Sequence, residues 1–260
     1  MKELSICDYT SKIFSKNVDQ INEDIKKSKH PKSLKAMLRT IMKIDEILKS
    51  IVATKDSFYT NQILARILFE HSLLFQYIFI RVSEDKSDKV GVDYYSSYFM
   101  SEFVKRENYN FGIEDIRNNK KEPITLERIQ QKYPNLKLIP HQVQQINTTA
   151  NQFDIRKIAD YLNNKTNNTN NFIEVHQQML EFLIRYNNLS SYVHGGPSSE
   201  KTTFEIKLNE HDKLINENIL LAEIASYSAK YHIISVLNHE FPATYFPIYT
   251  EMSFALKKSQ

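Results

Sequence analysis

The chain has 260 residues, with 34 basic and 31 acidic side chains and a formal net charge of +3, a near balance that supplies no strong electrostatic case for a nucleic-acid partner yet leaves room for a local basic groove. A hydrophobic fraction of 41% with 12% aromatics excludes disorder throughout and provides a sizeable core, in one large domain or two small ones. Four glycines and seven prolines are too few for the many tight turns of an all-β chain and favour long helices.

Met1 is followed by Lys2, Glu3 and a polar stretch that lacks the form of a signal peptide. Cys7 is the single cysteine, so neither a disulfide framework nor a multi-cysteine metal site is expected, and a reducing cytoplasm is the simplest location. The first fifty-odd residues read as two or three amphipathic helices. Leu34, Met37, Leu38, Ile41, Met42, Ile44, Ile47, Leu48 and Ile51 recur at helical spacing, and His30-Pro31 marks a break. The most apolar segment follows. Asp56 or Ser57 caps its start, and from Phe58 to about Val82 apolar residues cover nearly the whole circumference, which predicts a helix buried on most sides. Arg66, Glu70, His71 and Gln76 interrupt this stretch and argue against a membrane span, because inserting the charges is costly.

Ser83 to Asp88 reads as a polar turn and Val92 to about Val104 as an aromatic-rich helix. From Lys105 to Lys137 the chain is charged and less periodic, with a short helix starting at Thr125. Asp154 to Leu162 is a short amphipathic helix, and Asn163 to Asn171 is a polar low-complexity loop. Two long helices follow. Phe172 to His194 carries the core-facing stripe Val175, Met179, Phe182, Tyr186, Leu189 and Val193, and stops at Gly195-Gly196-Pro197. His211 to His239 carries Ile215, Ile219, Ala222, Ile224, Ala225 and Ile233 inside, and a last short helix follows Pro247. The expected architecture is one all-α domain over residues 1–260, a multi-helix bundle around a long buried central helix, with a less regular helical insertion over 105–171 and its Asn-rich loop at 163–171.

The common nucleotide-loop, zinc-protease, nucleophile-elbow and EF-hand patterns are missing from the sequence. The eight histidines do not cluster at metal-ligand spacing, so neither metal nor cofactor is expected. Two places remain. Arg66 and Glu70 stand four residues apart on one face of the buried helix. Charges there need partners: the pair either fixes packing as a salt bridge or lines a polar cavity where it positions another group or binds an anion. The second place is the end of the Phe172 helix. At about 100° per residue, Asn187, Ser190, Ser191 and His194 share a face beside the apolar stripe. The helix C-terminus favours protonated His194, and capping of terminal carbonyls accounts for the same residues equally well. Arg185 stands nine positions before His194, roughly 900° around an ideal helix and so on the opposite face.

Arg66-Ile-Leu-Phe-Glu70 on an apolar helix, together with Tyr-x2-Leu-Ser-x2-Val-His-Gly over Tyr186 to Gly195, resembles an uncharacterised bacterial helical family, the DUF5677-like proteins. The second motif is also similar to HEPN domains, helical bundles common in toxin–antitoxin, CRISPR-associated and phage-defence systems. That resemblance implies a HEPN-like bundle, a homodimer, and a metal-independent endoribonuclease. His194 would handle protons at the ribose 2′-OH or leaving oxygen, and an arginine would stabilise the phosphate. Catalytic HEPN motifs place four to six residues between arginine and histidine. Here eight separate Arg185 from His194, and Tyr186 follows the arginine. Arg66 from the other helix is therefore the candidate cation. The resulting catalytic set is His194, Arg66, Glu70 and Ser190, with Asn187, Ser191, Tyr186 and Arg185 as substrate contacts. The competing expectation is a non-catalytic helical module that binds a protein, RNA or a small ligand with the same polar residues. Neither reading involves a membrane.

Overall fold

The computed structural model describes residues 6–120, 125–136, 140–167, 183–186, 188–190, 192–193, 197–205 and 208–257. Among these the regular structure is entirely helical, in a multi-helix bundle around one long central helix.

The first fifty-odd residues, expected to form two or three amphipathic helices, form three: α1 (Ile6–Lys16), α2 (Val18–Lys27) and α3 (Pro31–Ala53). Pro31 opens α3, where its missing N–H and fixed φ cost nothing. His30 precedes it without capping it. The cap comes from far along the chain: Asp88 accepts the Lys32 N–H at 3.0 Å and the Ser33 N–H at 2.7 Å. Gly91 sits against the same turn and donates its N–H to Ser33 Oγ at 3.0 Å. A Cβ on Gly91 would fall onto the Ser33 backbone nitrogen, so only glycine fits. Met42 is exposed, unlike the rest of the expected α3 stripe, because Ile41 one position earlier takes the inward direction.

Central helix α4 (Phe58–Asp85) runs three residues past the expected end at Val82 and stops at Lys86, which takes the left-handed conformation at φ 47°. Ser57 holds the N-cap position, but its hydroxyl turns to Thr60 at 2.9 Å instead of capping. Leu68, Phe69, Leu73 and Ile78 are fully buried, and α4 packs mainly on α3, α9 (Ile155–Asn167) and the long helix Leu208–Glu240. By length and composition α4 is apolar enough to cross a membrane, but 61% of its most apolar window is buried inside the bundle. Its hydrophobicity is taken up by neighbouring helices.

The aromatic-rich helix differs from its expected form. Helix α5 (Lys89–Asp93) runs through a π-helical turn, Tyr94–Tyr98, into α6 (Phe99–Arg117). Tyr94 and Ser97 of this turn are both buried. The stretch expected to be less regular, 105–171, is largely helical where described: the end of α6, then α7 (Leu126–Lys132), α8 (Pro140–Ala150), a 3-10 turn (Asn151–Phe153) and α9. Thr125 caps α7 by accepting the Arg128 N–H at 3.4 Å. Helix α9 continues to Asn167, so its last turn uses the first part of the Asn-rich stretch; residues 168–171 lie outside the described residues.

Of the expected Phe172 helix, residues 183–186, 188–190 and 192–193 are helical, while Val175, Met179 and Phe182 lie outside the described residues. Tyr186 and Leu189 pack on the core, but Tyr192 is buried and Val193 exposed, the reverse of the expected stripe. The cause is aromatic. Tyr192 sits against Phe58 and Tyr59, with ring centroids 6.1 and 5.6 Å away, and its carbonyl accepts the Tyr59 hydroxyl at 2.6 Å. Helices α10 (Pro197–Glu205), α11 (Leu208–Glu240) and α12 (Pro242–Lys257) complete the fold. Ile224, expected inside α11, is exposed, and Ser226 and Lys230 are buried instead. Helix α12 begins at Pro242, before the expected start at Pro247, which lies within it.

Candidate ligand cleft

The charged pair of the central helix is satisfied by a residue more than a hundred positions away. Arg66 Nη1 lies 3.2 Å from Glu70 Oε1, one helical turn apart. Arg66 Nη2 donates to the Tyr186 hydroxyl at 3.1 Å, and that hydroxyl donates to Glu70 Oε1 at 3.3 Å. The guanidinium also stands over the Tyr186 ring, 4.8 Å from its centroid. Three side chains thus close one polar triangle between α4 and the segment containing Tyr186. Arg66 Nε is buried and makes no hydrogen bond among the described residues.

Glu70 and Tyr186 form part of the wall of a cavity of about 400 Å³. Tyr94, Tyr98 and Phe153 supply an aromatic wall, with Tyr98 and Phe153 centroids 5.4 Å apart and Tyr94 and Phe153 5.5 Å apart. Tyr94 and Tyr98, four positions apart at the two ends of the π-helical turn, both stand on this wall. Lys43 of α3 and Lys105 of α6 are exposed at its rim, where Lys105 pairs with Glu102 at 2.9 Å. His71 also lines the cavity. Burial holds its imidazole neutral by lowering its pKa to about 4, and the Lys43 charge acts in the same direction. Burial pushes Tyr94 up to about 12 and raises Tyr98 and Tyr186 as well, so all three remain neutral hydroxyls at neutral pH. Chemically, the cleft offers a held carboxylate, aromatic faces, neutral hydroxyl and imidazole groups, and two solvated ammonium groups. Among the described residues no group of three or more His, Cys, Asp or Glu side chains is arranged to hold a metal ion.

Arg66, Glu70 and Tyr186 are therefore brought together. Arg185, the neighbour of Tyr186, turns to α11 and pairs with Glu217 at 2.8 Å. Ser190 is half-buried, in the described helical residues 188–190. Asn187, Ser191 and His194 lie outside the described residues. Lys43, His71, Tyr94, Tyr98 and Asn151 also line the cleft and are not among the site residues expected from the sequence. Tyr94 and Tyr98 share a face by their four-residue spacing, but nothing local in the sequence says that this face meets Glu70, Phe153 and Tyr186. Comparison of the chain with protein-family models, with curated proteins and with solved structures finds no match.

Proposed function

We propose that the chain is a helical binding protein whose cleft receives one nucleotide unit, either free or within single-stranded RNA. The observation that carries this reading is the Glu70 carboxylate, held by Arg66 and Tyr186 on the wall of an aromatic cavity. Its volume is within the usual range of small-ligand sites, and a few fixed polar groups among aromatic side chains are their usual lining. A base stacks on the tyrosine faces, a contact worth about 1–3 kcal/mol per base. The Glu70 carboxylate accepts from an exocyclic amine, and the phosphate meets Lys43 and Lys105 at the rim. Titration calorimetry with the four nucleoside 5′-monophosphates and short homo-oligoribonucleotides tests this. The expected result is saturable binding that weakens at least ~tenfold, about 1.4 kcal/mol, in Tyr98→Ala and in Glu70→Gln. No saturable binding of any of these probes to the folded chain would sink the reading.

A second reading is a metal-independent endoribonuclease, an effector in phage defence or a toxin system that works as a homodimer. One contact favours it: the cation bonded to Tyr186, the first residue of the motif similar to HEPN domains, is Arg66 of the central helix. It predicts RNA cleavage in the presence of a chelator, abolished in His194→Ala while RNA binding persists. RNA left intact by well-folded protein dismisses it and leaves the binding reading standing.

A further inference from the structure

Toward the C-terminal end of α4 lies a second and larger cavity, about 710 Å³, shared by α4, α11, α12 and the turn between α2 and α3. It is separate from the cleft described above and has no residue in common with it. Its floor is apolar, with Phe79 and Val82 from α4, Val236 from α11 and Tyr249 from α12. Within it stands a carboxylate with one oxygen left over. The Glu240 side chain is only 7% exposed. Its Oε2 accepts the Lys29 backbone N–H at 2.9 Å, whereas Oε1 is buried and has no hydrogen-bond partner among the described residues. His30 Nε2 lies 3.6 Å from that oxygen, an ion pair when the imidazole is protonated, but beyond the roughly 3.2 Å upper end of N–H···O bonds. His30 Nδ1 and Asn238 Oδ1, in the same lining, are likewise buried without a partner.

Two oxygen acceptors beside an apolar floor call for a ligand that brings donors and a hydrophobic body. Burying acceptors unmatched is costly, so native structures rarely keep them that way without a reason. We infer that this cavity binds a small organic ammonium compound. Glu240 Oε1 and Asn238 Oδ1 are closed off from solvent; side-chain rotations that turn them inward let the ligand's N–H groups satisfy both, and its apolar body lies on Phe79, Val82, Val236 and Tyr249. The charges in the lining choose the sign of the ligand. Lys29 and Lys86 are exposed at the rim, where solvent screens them, and His30 and His239 carry charge only when protonated, whereas the Glu240 carboxylate is buried, where a charge acts more strongly than in water. The rim lysines tolerate a carboxylate at the other end of the ligand, so an amino-acid-like zwitterion fits as well as a simple amine.

Three probes with one phenyl ring separate these features in titration calorimetry of the full chain: phenethylamine, L-phenylalanine and 3-phenylpropionate. The expected result is saturable binding of phenethylamine, at least equal binding of phenylalanine, and at least ~tenfold weaker binding of the propionate. Glu240→Gln retains an acceptor for the Lys29 N–H but removes the charge, and it lowers phenethylamine affinity at least ~tenfold with an unchanged circular dichroism spectrum. If that variant does not fold, Ser83→Trp decides the matter, because this exposed rim substitution blocks the cavity and abolishes binding. Phenethylamine failing to saturate at millimolar concentration overturns the inference. So does propionate binding as tightly as the amine, and so does amine affinity unchanged in whichever of the two variants folds.

Discussion

Among the described histidines, burial lowers His71 and His232 from their ordinary pKa of 6.5, each to about 4. His232 is stacked on Phe79 with centroids 4.3 Å apart, and His71 lies in the cleft under the influence of Lys43. Because the folded state holds both rings neutral, the unfolded state takes up protons first as the pH falls. Their contribution to stability is therefore complete above pH 6.5 and is lost as the pH drops through about 4. Thermal unfolding followed between pH 7 and 4 is expected to show a falling melting temperature over that window, with a smaller fall in His232→Leu, which has no ring to protonate. An equal fall in the variant removes His232 from the account. The same scale shows what a sequence conceals about a polar group. Arg66 and Glu70 are legible as partners from their spacing, since charges on an apolar helix need each other. Tyr186 counts by periodicity as one more apolar stripe residue, and its hydroxyl, which closes the triangle, has no periodicity of its own.

At the scale of the element, the junction of α3 with α5 joins two segments that local sequence rules treat separately. The His30-Pro31 break is legible because proline fits the first position of a helix. The capping group is not, since Asp88 lies 55 and 56 positions from the N–H groups it accepts. Asp88→Ala is expected to lower the urea midpoint by the equivalent of about 1 kcal/mol, the usual worth of a lost helix cap. Gly91→Ala is expected to cost more, about 1–3 kcal/mol, because the new Cβ meets backbone rather than a yielding side chain. A Gly91→Ala variant as stable as the wild-type chain contradicts that close approach. The long helices were legible for the same reason that the π-helical turn was not. Apolar periodicity over many residues records a buried face, whereas a single widened turn changes the phase of that pattern by one residue only. Within 105–171, α7 and α9 are legible from the helix start at Thr125 and the amphipathic run after Asp154, whereas α8 is not, because its Gln, Asn and Thr content leaves too few apolar positions for periodicity to stand out.

At the scale of the whole molecule, a buried ammonium group ties the N-terminal helix to the rest of the bundle. Lys230 of α11 has a side chain only 2% exposed, and its Nζ donates to Asp45 of α3 at 2.6 Å, to Ser226 at 2.7 Å and to Ser11 of α1 at 3.0 Å. Ser226 donates in turn to the same Asp45 oxygen at 2.6 Å. No local pattern announces this cluster, because Lys230 and Asp45 are 185 positions apart and each reads alone as a residue of a solvated face. The two charges are not buried alike, and that sets the direction of the test. Asp45 is 31% exposed and retains contact with water when its partner is removed. Lys230 does not, so removing Asp45 leaves an uncompensated cation inside three helices. Asp45→Ala is therefore expected to destabilise by about 3 kcal/mol, the lower end for a broken buried pair because the two serine hydroxyls still accept from the ammonium. Lys230→Met fills a similar volume with apolar atoms and lets Asp45 turn to solvent, so its cost is less than half as large. Urea unfolding of both variants reads the order directly. A Lys230→Met chain as unstable as Asp45→Ala would mean that the hydrogen-bond network, and not the unequal burial of its two charges, holds α1 to α3 and α11.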